Sequence, residues 1–420
     1  MKKLLFTIFT LVTVSAHAQN IQSINSKAKF KDGTFSDIIK SAKIYKTGNQ
    51  LTDPIITLNS GETVTLSFDE VTRYNELEKN YYYTIEHRDA DWNTEGLITN
   101  DYMAGFTENN LTATNQSQGT GIRYRNYNII LPNSDVRLKI SGNYLVKVFE
   151  RGNNEPVIIK GFSILETLTT VTSFVMPPNT QPCMQQLDIK VNHPALQVQD
   201  AYVNLKIRVE QNSTRIPDVK NPTPAFSNPS STDYTRPDRN VYKGLNEFRQ
   251  FDIRSLDYNG QGVAGIRFAD GIYRVDLAHE LERRSYLATN DINGKFLIGS
   301  DRATNADLQA EYVEVRFSLA PQTPISGRIF LFGEFTDWAL SEKYEMLYKG
   351  SSYSCSALLK QGFYNYRYVV VDHNGNIDMA TLGGCFYDTE NTYNVYVYYR
   401  GMQDRYDKLV GFRRVNNRQK

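Results

Sequence analysis

The sequence predicts an all-β protein built from tandem antiparallel β-sandwiches. Three observations carry that expectation. Apolar residues alternate with polar ones at period two along many short stretches, which puts the apolar groups on one face of a strand. Aromatic residues make up 12% of the chain, with 28 Tyr and 21 Phe against two Trp, and flat rings suit a pleated, half-buried surface. Turn signals separate these stretches, and long amphipathic helical stretches are nearly absent.

The elements follow in chain order. Residues 1–18 read as a secretory signal: Lys2 and Lys3 supply the positive start, Leu4 to Val14 the apolar stretch, and Ala16-His17-Ala18 the small residues at the cleavage site. The apolar stretch is too short for a membrane-spanning helix, which needs about 20 such residues. The mature chain is expected to begin at Gln19, outside the cytoplasm. Val64, Leu66 and Phe68 alternate with Thr63, Thr65 and Ser67. Val203, Leu205, Ile207 and Val209, and later Val313, Val315, Phe317 and Leu319, repeat the pattern. Tyr81–Ile85, Tyr144–Phe149, Tyr364–Val371 and Tyr393–Tyr399 are further expected strands. Turns are expected at Asn59-Ser60-Gly61, Ser141-Gly142-Asn143, Asp270-Gly271, Asn293-Gly294 and Asn374-Gly375.

Length suggests two to three domains. The division expected is a sandwich over 19–167, a second over 168–319, a third over 320–402 and a solvated basic tail over 403–420. Within the second, 211–240 carries Pro217, Pro222, Pro224, Pro229 and Pro237 and is expected to be a long loop without a ladder. Export permits one disulfide among Cys183, Cys355 and Cys385. Cys355–Cys385 is the favoured pair because both lie in the last domain, although only the Cβ separation can decide.

Charge and motifs exclude several functions. The chain holds 47 basic and 46 acidic side chains, a balance unlike that of a nucleic-acid binder. Gly260-Gln261-Gly262-Val263-Ala264-Gly265 fits a dinucleotide fingerprint, but strand-like stretches follow it where a helix is required. His279-Glu280 opens like a zinc-protease helix, yet Arg283 stands where the second His belongs. Asp89, Asp91 and Asn93 open like a calcium loop, but Thr94 and Asn100 occupy the positions of the required Gly and Glu, so a turn with Asx hydrogen bonds is expected. No G-x-S-x-G elbow and no C-x-x-C occur. Catalytic, cofactor-binding and metal-binding residues are therefore expected to be none.

Ile329 to Trp338 ends in Gly333-Glu334-Phe335-Thr336-Asp337-Trp338, and Lys360 to Tyr368 follows downstream. Over about 75 residues this resembles the early-set, glycogen-binding-like sandwich. In glycan-binding members of that group exposed aromatics stack on sugars, so Trp338 is a candidate glycan-stacking residue. Burial of Phe335 and Trp338 at the end of the core is the favoured alternative.

The first domain carries His87-Arg88-Asp89-Ala90-Asp91-Trp92, then Tyr102-Met103-Ala104-Gly105-Phe106, then Ser141-Gly142-Asn143-Tyr144. The second adds Gly244 to Asp252, which includes Glu247, Phe248 and Arg249. In that order and spacing the chain resembles the plug proteins of the Bacteroidota type IX secretion system. The resemblance implies a non-enzymatic periplasmic protein, associated with the inner side of the outer membrane, that occludes the periplasmic opening of the translocon's β-barrel. It touches the membrane only through that partner and needs no cofactor. The motif residues are expected to serve the fold rather than the contact. The competing expectation is an exported glycan-binding protein that uses Trp338.

Overall fold

The structure is a computed structural model and describes residues 32–71, 79–111, 115–178, 183–214, 221–236 and 239–418. The expected signal at 1–18 and the expected start at Gln19 lie outside the described residues. Among the described residues no helix is long and apolar enough to cross a membrane.

The all-β expectation holds. In the first module two antiparallel sheets face each other. One aligns Gly33–Thr34, Pro156–Leu165, Gly142–Glu150, Tyr81–Arg88 and Asn109–Asn110, with Ile55–Thr57 parallel to Pro156–Leu165. The other runs Ile39–Lys46, Val64–Val71, Tyr124–Leu131 and Asn115–Gln116. Their inward residues, among them Leu66, Phe68, Ile85, Ile129, Val146 and Phe162, form one core. Tyr81 alternates buried and half-buried neighbours through to Arg88, the burial rhythm that a two-faced strand demands.

The second module also has two facing sheets. Thr170–Met176 pairs with Met184–Asn192, which pairs in turn with Ser231–Asp233 and Val241–Lys243. Opposite lies Leu205–Gln211, then Thr392–Tyr399, then Lys408–Asn416. Leu187, Ile189, Ile207, Val395 and Val410 meet between them. The third module is one sheet wrapped round a core of Phe251, Val315, Leu331, Ala357, Tyr364 and Tyr366. It starts at Arg249–Asp252, passes through Gly362–Val371 and ends at the hairpin Val263–Ala269 and Ile272–Leu277.

Four expectations about strands and turns are corrected. Sheet membership crosses the linear division at 320 and 402: strands from 392 to 416 close the second sandwich, and strands from 249 to 319 belong to the third module. Local periodicity identifies a strand but carries no information about its partner. The tail 403–420 is not a solvated end, because Lys408–Asn416 is a strand with Leu409, Val410 and Val415 buried. Its basic residues masked that alternation. Within 211–240, Phe226–Asn228 and Ser231–Asp233 form a hairpin, with Pro229 in the turn where no ladder bond is needed. Residues 215–220 and 237–238 lie outside the described residues. Ser141-Gly142-Asn143 is not a turn either, since Gly142 already opens the strand Gly142–Glu150. Two other sequence readings hold: Gly260 to Gly265 leads into the hairpin Val263–Ala269 and Ile272–Leu277, and Asp270-Gly271 is its tip.

The disulfide is Cys183–Cys385, with the Cα atoms 5.3 Å apart, and not Cys355–Cys385. Cys385 lies on a segment that leaves the third module and returns to the second, where Gly244 N–H donates to the Cys183 carbonyl. Cys355 sits inside the third module on Tyr353–Lys360 as a free buried thiol, pushed up to about 11 by burial.

A non-reducing digest will therefore yield one cross-linked peptide that joins Cys183 to Cys385, with Cys355 alkylated only after unfolding. Reduction of the folded protein will lower its unfolding free energy by roughly 2–5 kcal/mol, measured by urea titration. A Cys355–Cys385 peptide would refute the assignment.

Candidate functional site

The residues that stand out in the sequence gather where the modules meet. His87 is the last residue but one of the strand Tyr81–Arg88, and the turn after the strand carries Asp89 to Trp92. Asp89 Oδ1 accepts from the backbone N–H of Asp91 at 2.9 Å and of Asn93 at 2.7 Å, the Asx turn expected there. Trp92 is buried in a left-handed conformation, at φ 64°. His87 Nδ1 lies 2.8 Å from Glu95, and its Nε2 is 3.1 Å from the Ser141 carbonyl. A Cβ on Gly142 would run into the His87 ring, which is why glycine stands there. Tyr144 is fully buried, stacks on Phe162 and meets His87 edge-on.

This cluster grips the second module. Glu95 pairs with Arg400, and Arg400 Nε lies 2.7 Å from Asp407. Asp407 accepts from the Ala90 N–H at 3.0 Å. Asn143 is wholly buried: its Nδ2 donates to the Asp89 carbonyl, while Oδ1 accepts from Ser163 and from Tyr398, each at 2.9 Å. Beside these polar groups Ala90, Tyr396, Tyr398 and Leu409 form an apolar cluster with Ile55, Leu165 and Phe412. The motif is therefore a joint.

A second joint ties the first module to the third. Lys360 Nζ and Tyr312 Oη each lie 2.7 Å from Asp69 Oδ2, and Asn126 donates to Oδ1 at 2.8 Å. Both charges are almost fully buried, and burial pushes the Asp69 carboxyl up and the Lys360 ammonium down. Removing one partner of such a pair costs about 3–5 kcal/mol. Nearby, Lys43 pairs with Glu334 at 2.6 Å and Lys160 with Asp337 at 2.7 Å. Burial lowers Lys43 to about 8 against the pull of Glu334. Burial would also depress Lys160, but Asp32 and Asp337 together raise it above the ordinary lysine value. These pairs line a cavity of about 580 Å³ between the modules.

The third joint is Asp53. Lys295 of the third module lies 2.7 Å from its Oδ1, and Arg414 of the second module 3.2 Å from its Oδ2. Ser213 and Asn394 donate to it as well, at 2.7 Å and 3.0 Å. Burial alone would raise this carboxyl, but Lys295, Arg414 and the hydrogen bonds hold it down at about 2.

The remaining sequence candidates are spread apart. Gly105, at φ 123°, passes so close to the Asp135 carbonyl that no Cβ fits, and Phe106 beside it is exposed. Glu247, Phe248 and Arg249 are buried where the second module passes into the third. Glu247 Oε1 accepts from Tyr286 at 2.8 Å and from the Glu390 N–H at 3.1 Å, and Arg418 of the supposed tail lies 3.3 Å away. Trp338 is half-buried and meets Phe332 and Phe248 edge-on, with centroids 5.4 Å and 6.3 Å apart. Phe335 packs on Phe317 and Tyr364. Sequence reasoning missed Asp53, Asp69, Lys360 and Asp407. Asp69 and Lys360 stand on the strand faces opposite the core residues Leu66, Phe68, Ala357 and Leu359, where a polar side chain reads as solvent-facing, so the alternation gave no signal for them.

Residues 39–166 match the family model described as type 9 secretion system plug protein, first domain. The chain is also similar, at 30% identity and a TM-score of 0.87, to a crystal structure of a hypothetical protein from Parabacteroides merdae. That match covers 92% of this chain and 99% of the other. No curated protein matches the sequence.

The Asp53 joint gives a pH signature. A depressed carboxyl contributes stability that is complete above its unfolded value near 3.8 and drains as pH falls towards 2. The loss is about 2 kcal/mol over that window. Denaturant titrations of the protein and of Asp53→Asn between pH 5 and pH 2 will show the wild-type slope reduced in the variant. Equal slopes would contradict the assignment.

Proposed function

From the premise that the chain belongs to the type IX secretion plug family, we propose that it closes the periplasmic opening of the system's outer-membrane β-barrel translocon. It acts as a stiff, non-enzymatic stopper that works by bulk and fit. The observation that carries this reading is the set of buried charged joints. Asp53 of the first module is bound from both the second and the third, and the Asp69–Lys360 and Glu95–Arg400–Asp407 groups each cross a module boundary. A wide aqueous pore leaks unless its filler resists bending, and a hinge between modules would open such a leak.

Two further features support the reading. The formal net charge is +1, so association rests on shape and local contacts rather than on long-range steering. Exposed rings such as Phe106, Tyr202, Phe226 and Tyr258 give contact area on loops and edges, and the tyrosines among them keep a polar tip that tolerates water.

Mild-detergent affinity purification followed by mass spectrometry will recover a very large outer-membrane barrel with the protein. Deleting the gene will make the outer membrane permeable to large antibiotics. Unchanged permeability together with no barrel in the purified material would end this reading.

A further inference from the structure

Where the second module passes into the third, the structure leaves a small void of about 20 Å³. That is room for about one water-sized sphere. Its lining includes Glu247, Arg249, Arg283, Arg367, Tyr368 and Leu382. Three guanidinium groups facing so small a space is an unusual concentration of positive charge, because buried arginine normally comes with a matched carboxylate.

The three are not equally satisfied. Arg249 pairs with Glu280, and its Nη2 donates to the carbonyls of Leu281 at 2.7 Å and Leu382 at 3.2 Å. Arg283 Nη1 donates to the Glu247 carbonyl at 3.0 Å. Arg367 stands on the strand Gly362–Val371 with only 9% of its surface exposed. Its guanidinium lies 3.7 Å above the Phe248 ring, yet its Nε and Nη2 are buried and have no acceptor among the described residues. Leaving such donors without an acceptor costs several kcal/mol.

The nearby carboxylates do not fill the gap. Asp291 accepts from the backbone N–H groups of Phe248 and Asn293, at 2.5 Å and 2.7 Å. Glu247 Oε1 is taken by Tyr286 and Glu390. Its Oε2 is buried without a donor among the described residues, so it does not satisfy Arg367 either.

We propose that this void is a binding site for one small inorganic anion of chloride size, held by Arg367, Arg249 and Arg283. The anion supplies the acceptor that Arg367 lacks and offsets the charge of the three guanidiniums. Bound there, it fixes the Glu247-Phe248-Arg249 segment against the third module. Two shifts agree with the geometry. Burial, with the neighbouring Arg283, depresses Arg249 and Arg367 to about 10 each, in the case of Arg367 against the pull of Asp291 and Glu247. Burial also raises the Glu247 carboxyl, against the pull of the Glu390 N–H, Tyr286 and Arg418. The site stands independently of the plug reading.

The test replaces chloride by bromide in crystals of the wild-type protein and collects data at the bromine edge. An anomalous peak within hydrogen-bond distance of Arg367 is expected. A parallel measurement compares melting in chloride and in gluconate at equal ionic strength. Chloride is expected to raise the midpoint by about 2–4 °C, and Arg367→Met to abolish that difference. A void that holds only water, with no anomalous signal and no anion-dependent melting, would overturn the proposal. The wild-type bromide experiment decides the matter even if the variant fails to fold.

Discussion

One carboxylate, Asp53, binds groups from the second and third modules while its own backbone belongs to the first. It sits beside Ile55–Thr57, takes Lys295 from one neighbour and Arg414 with Asn394 from the other. A buried carboxylate left without partners costs several kcal/mol. The modules therefore cannot part at this point without exposing or orphaning charge. The Asp69–Lys360 pair and the Glu95–Arg400–Asp407 group impose the same condition elsewhere. The joints add little net stability by themselves, because desolvation offsets much of their attraction. What they enforce is one relative placement of three sandwiches.

The chain's route reinforces that placement. In chain order the second sandwich closes across the third module, because Thr392–Tyr399, which follows that module, pairs with Leu205–Gln211, which precedes it. Cys183–Cys385 links the returning segment to the second sandwich. Arg414 and Arg418, on and just after the last strand, reach Asp53 and Glu247. The end of the chain is thus a clasp across all three modules. Of the residues that mark the family resemblance, His87, Asp89, Asn143 and Tyr144 lie at or beside the joint between the first and second modules, and Glu247 to Arg249 lie where the second passes into the third.

Much of the fold was legible in the sequence, for a physical reason. Period-two alternation, as in Val64–Val71 and Tyr312–Leu319, is a local consequence of one buried face. The Asx turn at Asp89 was legible because the side chain bonds its own neighbours. Pairing across long sequence distance was not. Nothing local in Thr392–Tyr399 distinguishes a third-module strand from one that returns to the second. The same blindness misplaced the disulfide, since Cys355 and Cys385 are close in sequence while Cys183 is close in space. The charged joints were not legible, because Asp53 gains its meaning only from Lys295, Ser213, Asn394 and Arg414.

The central claim is that three sandwiches behave as one stiff body. It is tested most directly by pulsed electron resonance distances between spin labels at Glu108, Phe174 and Tyr348, exposed positions in the first, second and third modules. The account predicts a single narrow distance distribution for every pair in solution. Broad or two-peaked distributions between modules would contradict it.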